Sequence, residues 1–142
     1  HLNNSRLKQA VSFFERALIQ TPNNANAHFN VGFVLEELAR SLEAEKAFKA
    51  AIQIDPKMDR AWYGLGLVLV RQRRLEESLM AFKRNTELQS MSPIAWYQMA
   101  RVHVELGHPD EALAVMRHLN GFEPKVAAQL ERETGLKLDS TV

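Results

Sequence analysis

The sequence contains no cysteine, which excludes disulfide bonds, thiolate metal sites and cysteine nucleophiles. Charge of one sign is also scarce, because 18 Lys+Arg stand against 17 Asp+Glu and leave a formal net charge of +1. Without a concentrated basic face, we predict no nucleic-acid partner. No uncharged apolar stretch approaches the roughly 18 residues of a membrane helix, so no membrane span is predicted. The remaining composition, 46% hydrophobic over 142 residues, is that of about one folded domain.

Glycine and proline are few, 6 and 5 residues, and several of them recur at a fixed interval. Pro22 and Pro56 are 34 residues apart, and Pro124 lies twice that distance further on. The same step links Phe14, Phe48 and Phe82; Ala27, Ala61 and Ala95; Trp62 and Trp96; and Glu43, Glu77 and Glu111. A period of this length predicts stacked supersecondary units rather than one closed core.

Within each period the apolar residues follow helical spacing. Trp62, Leu65, Gly66 and Leu69 lie at i, i+3, i+4 and i+7, and a second run of this kind follows in each unit. No stretch alternates with period two, so the predicted fold is all-α. Small residues are expected where paired helices approach closely, and large ones between successive pairs. The small set is Gly32, Gly66, Ala100, Ala44, Ser78 and Ala112, and the large set is Phe48, Phe82 and Met116.

Three segments resemble the tetratricopeptide repeat, a 34-residue helix–turn–helix unit. They are A-W-Y-G-L-G-L-V-L (61–69), A-x-x-x-F (44–48) and I-D-P (54–56). The resemblance implies a right-handed superhelical solenoid of antiparallel helix pairs, with about three and a half repeats and a C-terminal capping helix. The predicted parts are a half repeat (1–24, the second helix of a truncated unit), three units (25–58, 59–92 and 93–126), and a capping helix with tail (127–142). Glu131 and Arg132 are expected to face outward from the cap.

Some positions depart from the repeat pattern. His28 replaces the usual Trp, Asn85 the usual Ala and Ser90 the usual Pro, and these changes are expected to weaken local packing or capping. The half repeat lacks the first helix against which its apolar side would pack. We interpret it as a cut within a longer polypeptide, with cover by a neighbouring molecule as the alternative.

The search for chemistry predicts no catalytic residue, no cofactor and no metal site, because the known nucleophile, phosphate-loop and zinc motifs are missing. His103-Val104-Glu105 reads H-x-E, but a zinc deaminase site also needs cysteines. We predict that His103 is a packed, hydrogen-bonded histidine and that His108 is a solvated turn residue. The cluster Arg71, Arg73 and Arg74 is predicted to be solvated, with an anionic partner as the alternative.

The resemblance implies that the first helix of each pair lines a concave groove. The groove residues would be Asn26, Phe29, Asn30, Phe33, Glu36 and Glu37 in the first unit; Arg60, Tyr63, Leu67, Val70 and Arg71 in the second; and Ile94, Tyr97, Gln98, Arg101, Val104 and Glu105 in the third. Phe29, Tyr63 and Tyr97 would form an aromatic stripe not needed for packing, with scattered charges around it. The family's clamp for a C-terminal carboxylate is missing, because its positions hold Phe29, Phe33, Gly64, Ile94 and Gln98.

These residues predict a non-enzymatic scaffold or adaptor that binds an apolar or amphipathic peptide segment in the groove. One alternative is a regulatory or targeting module of a larger enzyme or assembly factor. Another is a self-associating domain, a homo-oligomer formed through the N-terminal half repeat. A cytoplasmic location is expected by default because no signal-like stretch is present, and a periplasmic one is left open.

Overall fold

The computed structural model describes residues 3–138, which form eight α-helices and no β-strand. The helices are α1 (Asn4–Gln20), α2 (Ala25–Glu37), α3 (Ser41–Ile54), α4 (Asp59–Arg71), α5 (Leu75–Leu88), α6 (Pro93–Glu105), α7 (Pro109–Asn120) and α8 (Pro124–Thr134). The predicted all-α fold is confirmed. Residues 1–2 of the predicted half repeat and 139–142 of the predicted tail lie outside the described residues. From residue 3 to residue 138, no helix is both long and apolar enough to cross a bilayer.

The helices divide into two compact units, one ending at Ala81 and the other beginning at Phe82, so the boundary falls within α5. In the first unit, α2 packs on α1, α3 and α4, and α3 also packs on α4. In the second unit, α7 packs on α6 and α8, and α8 also packs on α6.

Phe48 of α3 lies at the centre of the first unit and is 2% exposed. A methyl group added at Gly32 of α2 would lie 2.9 Å from ring atom Cδ1, and one added at Gly64 of α4 would lie 2.6 Å from Cζ. Both helices can therefore approach the same ring only because these residues lack a side chain. The predicted roles of Phe48 and Gly32 are confirmed. In α4 it is Gly64 that approaches Phe48 from the next repeat, a position that the packing prediction did not include. The expected close approach of Gly66 to the second helix of its own pair stays a prediction.

Each first helix of a pair is followed, two residues after its last residue, by a residue with a left-handed backbone. Ala39, Arg73 and Gly107 have φ of 60°, 60° and 77°, and they are 34 residues apart. The following amide N–H of each donates to the carbonyl five residues earlier, at 2.9, 2.9 and 2.8 Å. This is the Schellman type of helix end, which favours glycine because a Cβ atom is strained at positive φ. The turn is therefore kept in all three repeats, although only one of them has glycine.

A ring N–H joins the start of each first helix to the turn before it. His28 Nε2 lies 2.8 Å from the Pro22 carbonyl oxygen, Trp62 Nε1 donates to Pro56 at 2.8 Å, and Trp96 Nε1 donates to Ser90 at 3.0 Å. A carbonyl oxygen only accepts, so His28 carries its proton on Nε2 in this contact. The hydrogen bond is kept where His28 and Ser90 depart from the repeat pattern, because an imidazole replaces the indole and the turn carbonyl needs no proline. The expected weakening of packing or capping at these positions stays a prediction.

In the second unit, Met116, Leu119 and Leu130 are fully buried. Helix α8 contributes Leu130 to this core and ends at Gly135, whose φ of 79° is left-handed. Arg132 is exposed as predicted, but Glu131 is half-buried. Its Oε2 accepts a hydrogen bond of 2.7 Å from the Leu138 amide. The expectation that Glu131 simply faces outward is therefore wrong, because its carboxylate holds the chain that follows α8.

Candidate functional site

The predicted groove residues of the first unit lie on two adjacent helices, and we call this surface the α2–α4 face. It comprises Asn26, Phe29, Asn30 and Phe33 of α2 and Arg60, Tyr63, Leu67 and Val70 of α4. Their spacing of three or four residues places each set on one side of its helix. At 1.5 Å per residue, the α4 side of this face is about 15 Å long.

One end of the α2–α4 face is polar and ordered by Arg60. Its Nη2 donates to Oδ1 of Asn26 at 3.0 Å, and these residues occupy the same position in consecutive repeats. Its Cζ atom lies 4.7 Å from the centroid of the Phe29 ring, a cation–π distance. Two neighbours therefore fix the guanidinium against the surface.

The middle of the face is aromatic and apolar. Phe29 and Phe33 stack with their ring centroids 6.4 Å apart, and Phe33 is 52% exposed. Phe29 also packs on the buried Phe48, with centroids 5.8 Å apart. The expectation that Phe29 is not needed for packing is therefore wrong, because one side of its ring belongs to the core. Tyr63, a neighbouring groove position, is half-buried.

The opposite end of the face carries a neutral pair. Arg71 Nη2 lies 2.7 Å from Oε2 of Glu36, whose side chain is only 12% exposed. The expected scattered charge of Arg71 is thus cancelled across α2 and α4.

Behind this end, Arg74 is held by two carboxylates and is not a solvated cation as expected. Its Nη1 donates to Glu45 Oε1 at 2.7 Å, and its Nη2 lies 2.6 Å from Glu77 Oε2. Burial alone would raise the pKa of Glu45, but hydrogen bonds from Lys49, Gln72 and Arg74 lower it to about 2. The contacts of Glu45 with Arg74 and Gln72 therefore join α3 to the turn before α5.

In the second unit, two of the predicted groove residues of α6 contact the last turn of α8. Tyr97 donates its hydroxyl proton to Glu133 Oε1 at 2.5 Å, and Arg101 Nη1 donates to the same oxygen at 2.8 Å. Gln129 donates to Glu133 Oε2 at 2.8 Å. Burial and the bond to Glu133 raise the pKa of Tyr97, while hydrogen bonds, first from Tyr97, lower the pKa of Glu133. Tyr97 and Arg101 therefore already hold an internal carboxylate; Gln98 is half-buried, and Ile94 is 50% exposed.

The two histidines of the H-x-E region lie together. The ring centroids of His103 and His108 are 5.8 Å apart, and both residues are half-buried. The buried Nδ1 of His103 has no hydrogen-bond partner among the described residues. The predicted hydrogen-bonded histidine is therefore wrong for this atom. Burial, and then the charge of His108, lower the pKa of His103.

Chemically, the α2–α4 face offers stacked aromatic rings, the two side-chain amides of Asn26 and Asn30 and one oriented guanidinium, which suit non-covalent recognition. Within residues 3–138, no three His, Asp or Glu side chains are grouped as metal ligands.

Two features of these surfaces were not predicted from the sequence: the role of Glu133 and the hydrogen bond between Asn26 and Arg60. Glu133 lies outside the repeats, so periodicity gives no signal for it. The Asn26–Arg60 bond does have a signal, because both residues occupy one repeat position and have complementary polar groups.

Three sequence models of the tetratricopeptide repeat match the chain, at residues 13–46, 34–93 and 94–125. A comparison with curated protein sequences gives no significant match.

Solved structures with the same fold include MamA and YrrB. A crystal structure of MamA has a TM-score of 0.82 at 17% identity, over 96% of this chain and 87% of that chain. A second MamA structure has a TM-score of 0.79 at 16% identity, over 94% and 70%. YrrB, described as a TPR protein with an unusual peptide-binding site, has a TM-score of 0.76 at 23% identity, over 92% and 71%. These identities show a shared fold.

Proposed function

The chain belongs to the tetratricopeptide repeat family, whose members bind protein or peptide partners, and on that premise we propose that it is a non-enzymatic scaffold or adaptor. Its ligand is an apolar or amphipathic peptide segment that lies on the α2–α4 face. The observation that carries this proposal is the half-exposed Phe33 ring, stacked on Phe29 between two ends whose polar groups are already ordered. The described peptide-binding site of the similarly folded YrrB supports it.

The expected affinity follows from the apolar area available. Each apolar side chain buried from water contributes roughly 1.5–3 kcal/mol. Three or four such side chains, after the cost of association, give a binding free energy no more favourable than about −8 kcal/mol, which corresponds to micromolar affinity at best. A stacked aromatic pair adds little ordering cost, because Phe29 is already fixed by Phe48.

A peptide-display selection with the purified chain tests this proposal, followed by titration calorimetry of the selected peptides. Phe33→Ala is expected to weaken peptide binding about tenfold or more, which is the effect of losing one apolar contact. The thermal unfolding midpoint should stay nearly unchanged. The matched control is Leu42→Ala, since Leu42 is also a large exposed side chain, 68% exposed, but lies on α3. Equal binding by the wild type and the Phe33 variant would refute the proposed site.

Self-association is a second candidate, favoured by the exposed Phe13 ring on α1. Phe13 is 61% exposed, and together with Arg16, Ala17 and Gln20 it lines an open depression along one side of this helix. A second copy seated there would cover the Phe13 ring. Multi-angle light scattering distinguishes this candidate: concentration-dependent dimers that disappear in Phe13→Ser support it, and a monomer at every concentration rejects it.

A further inference from the structure

Arg60 differs from the other arginine at the rim of the α2–α4 face. Arg71 is neutralised by Glu36 at 2.7 Å. Arg60 makes no ion pair with any described residue; its contacts are the neutral amide of Asn26 and the face of the Phe29 ring. The Arg60 guanidinium thus makes no ion pair within the described residues, whereas the Arg71 guanidinium does.

The guanidinium of Arg60 is also pre-positioned. Stacking on Phe29 and one hydrogen bond to Asn26 fix its plane, while a guanidinium has five N–H donors in total. Donors in this fixed fork match the two oxygens of a carboxylate, and a group ordered in advance loses less entropy on binding.

We propose that the segment bound on the α2–α4 face carries an internal Asp or Glu whose side chain pairs with Arg60, next to an apolar residue that packs on Phe33. This inference rests on the proposed function and adds the chemistry of its ligand. The distances from the guanidinium to Phe29 and from Phe29 to Phe33 place the acid no more than about two helical turns from the apolar residue. A side-chain carboxylate is the source, since the positions of the family's C-terminal clamp hold Phe29, Phe33 and Gly64.

The test is display selection of random peptides, in one library with free and one with blocked carboxyl ends, against wild type, Arg60→Gln and Arg71→Gln. Both variants lose one positive charge from α4. If the preference for acidic peptides came only from the net charge of the protein, it would therefore decrease equally in both variants. Wild type and Arg71→Gln are expected to enrich an acidic residue at a fixed spacing from an apolar one, in both libraries. Arg60→Gln is expected to retain the apolar residue and lose the acidic one.

Comparing the affinity of a selected peptide with that of its Asp→Asn or Glu→Gln counterpart then measures how much the carboxylate contributes to binding. The acidic form is expected to bind wild type about tenfold more tightly, as one charge-assisted hydrogen bond predicts, and to bind Arg60→Gln as weakly as the amide form.

Apolar peptides selected without an acidic residue, or an equal loss in both variants, would overturn the inference and leave the proposed function standing. Selection that requires a free carboxyl end would overturn it as well. No selected peptides at all would refute the proposed function and this inference together.

Discussion

Adding one methyl group at Gly64 tests the packing that brings α2, α3 and α4 together. In Gly64→Ala the new Cβ would lie 2.6 Å from Phe48 Cζ and 2.7 Å from Cε1, whereas carbon atoms normally rest about 3.5–4.0 Å apart. The ring cannot move into solvent, because Phe48 is 2% exposed.

The net effect is the difference between two terms. Replacing glycine by alanine inside a helix stabilises it by about 1 kcal/mol. Overpacking a buried site costs about 1–3 kcal/mol. Because the contact at Gly64 is shorter than the 2.9 Å contact at Gly32, we expect Gly64→Ala to lower the free energy of unfolding by up to about 2 kcal/mol and Gly32→Ala to lower it less.

Urea unfolding followed by circular dichroism measures both changes, and a double-mutant cycle with Phe48→Leu assigns their cause. Without the ring, Gly64→Ala should no longer destabilise and should show the helix-propensity gain of about 1 kcal/mol. The explanation would be refuted if Gly64→Ala stabilised the protein while Phe48 is present. It would also be refuted if Gly64→Ala cost the same free energy of unfolding with and without Phe48→Leu.

Three further predictions concern other contacts. Ala39→Gly should raise the free energy of unfolding by about 0.5–1 kcal/mol, because it relieves a φ of 60°; an unfolding midpoint that falls would contradict this. The pKa of Glu45 is lowered to about 2, so its stabilisation is full above the ordinary value near 4.5 and is lost as pH falls towards 2. In urea unfolding, the free energy of unfolding of the wild type should exceed that of Glu45→Gln by about 2 kcal/mol at pH 7, and this difference should disappear as the pH falls from 4.5 towards 2. A difference that does not change with pH would show that the Glu45 carboxylate does not stabilise the fold through its charge. Glu133→Gln should loosen the end of α8, seen as faster amide exchange there, while Arg132→Gln, an exposed neighbour, should not; equal exchange in both would show that the Tyr97 contact is unimportant.

The sequence was sufficient for the repeat, the helices and the residues at the centre of each pair. Periodicity works for residues such as Phe48 because each repeat must fill an equivalent space. It does not show which charged side chains meet, since Arg74 reaches a carboxylate in the preceding repeat. Nor does it place Glu133, which belongs to no repeat. Phe29 illustrates a third limit, because one ring both packs on the core and lies on the surface.

The contacts between consecutive repeats bear on how such a chain can be recombined. Asn26 with Arg60 and Glu45 with Arg74 each join side chains from neighbouring repeats. A repeat moved beside a different neighbour would keep its helices and lose these partners, leaving the almost buried Glu45 with Lys49 of its own helix but without Arg74 and Gln72. The unit that can be exchanged in engineering or by gene duplication is therefore the junction between two repeats, with the helices on both sides of it, and not the 34-residue repeat.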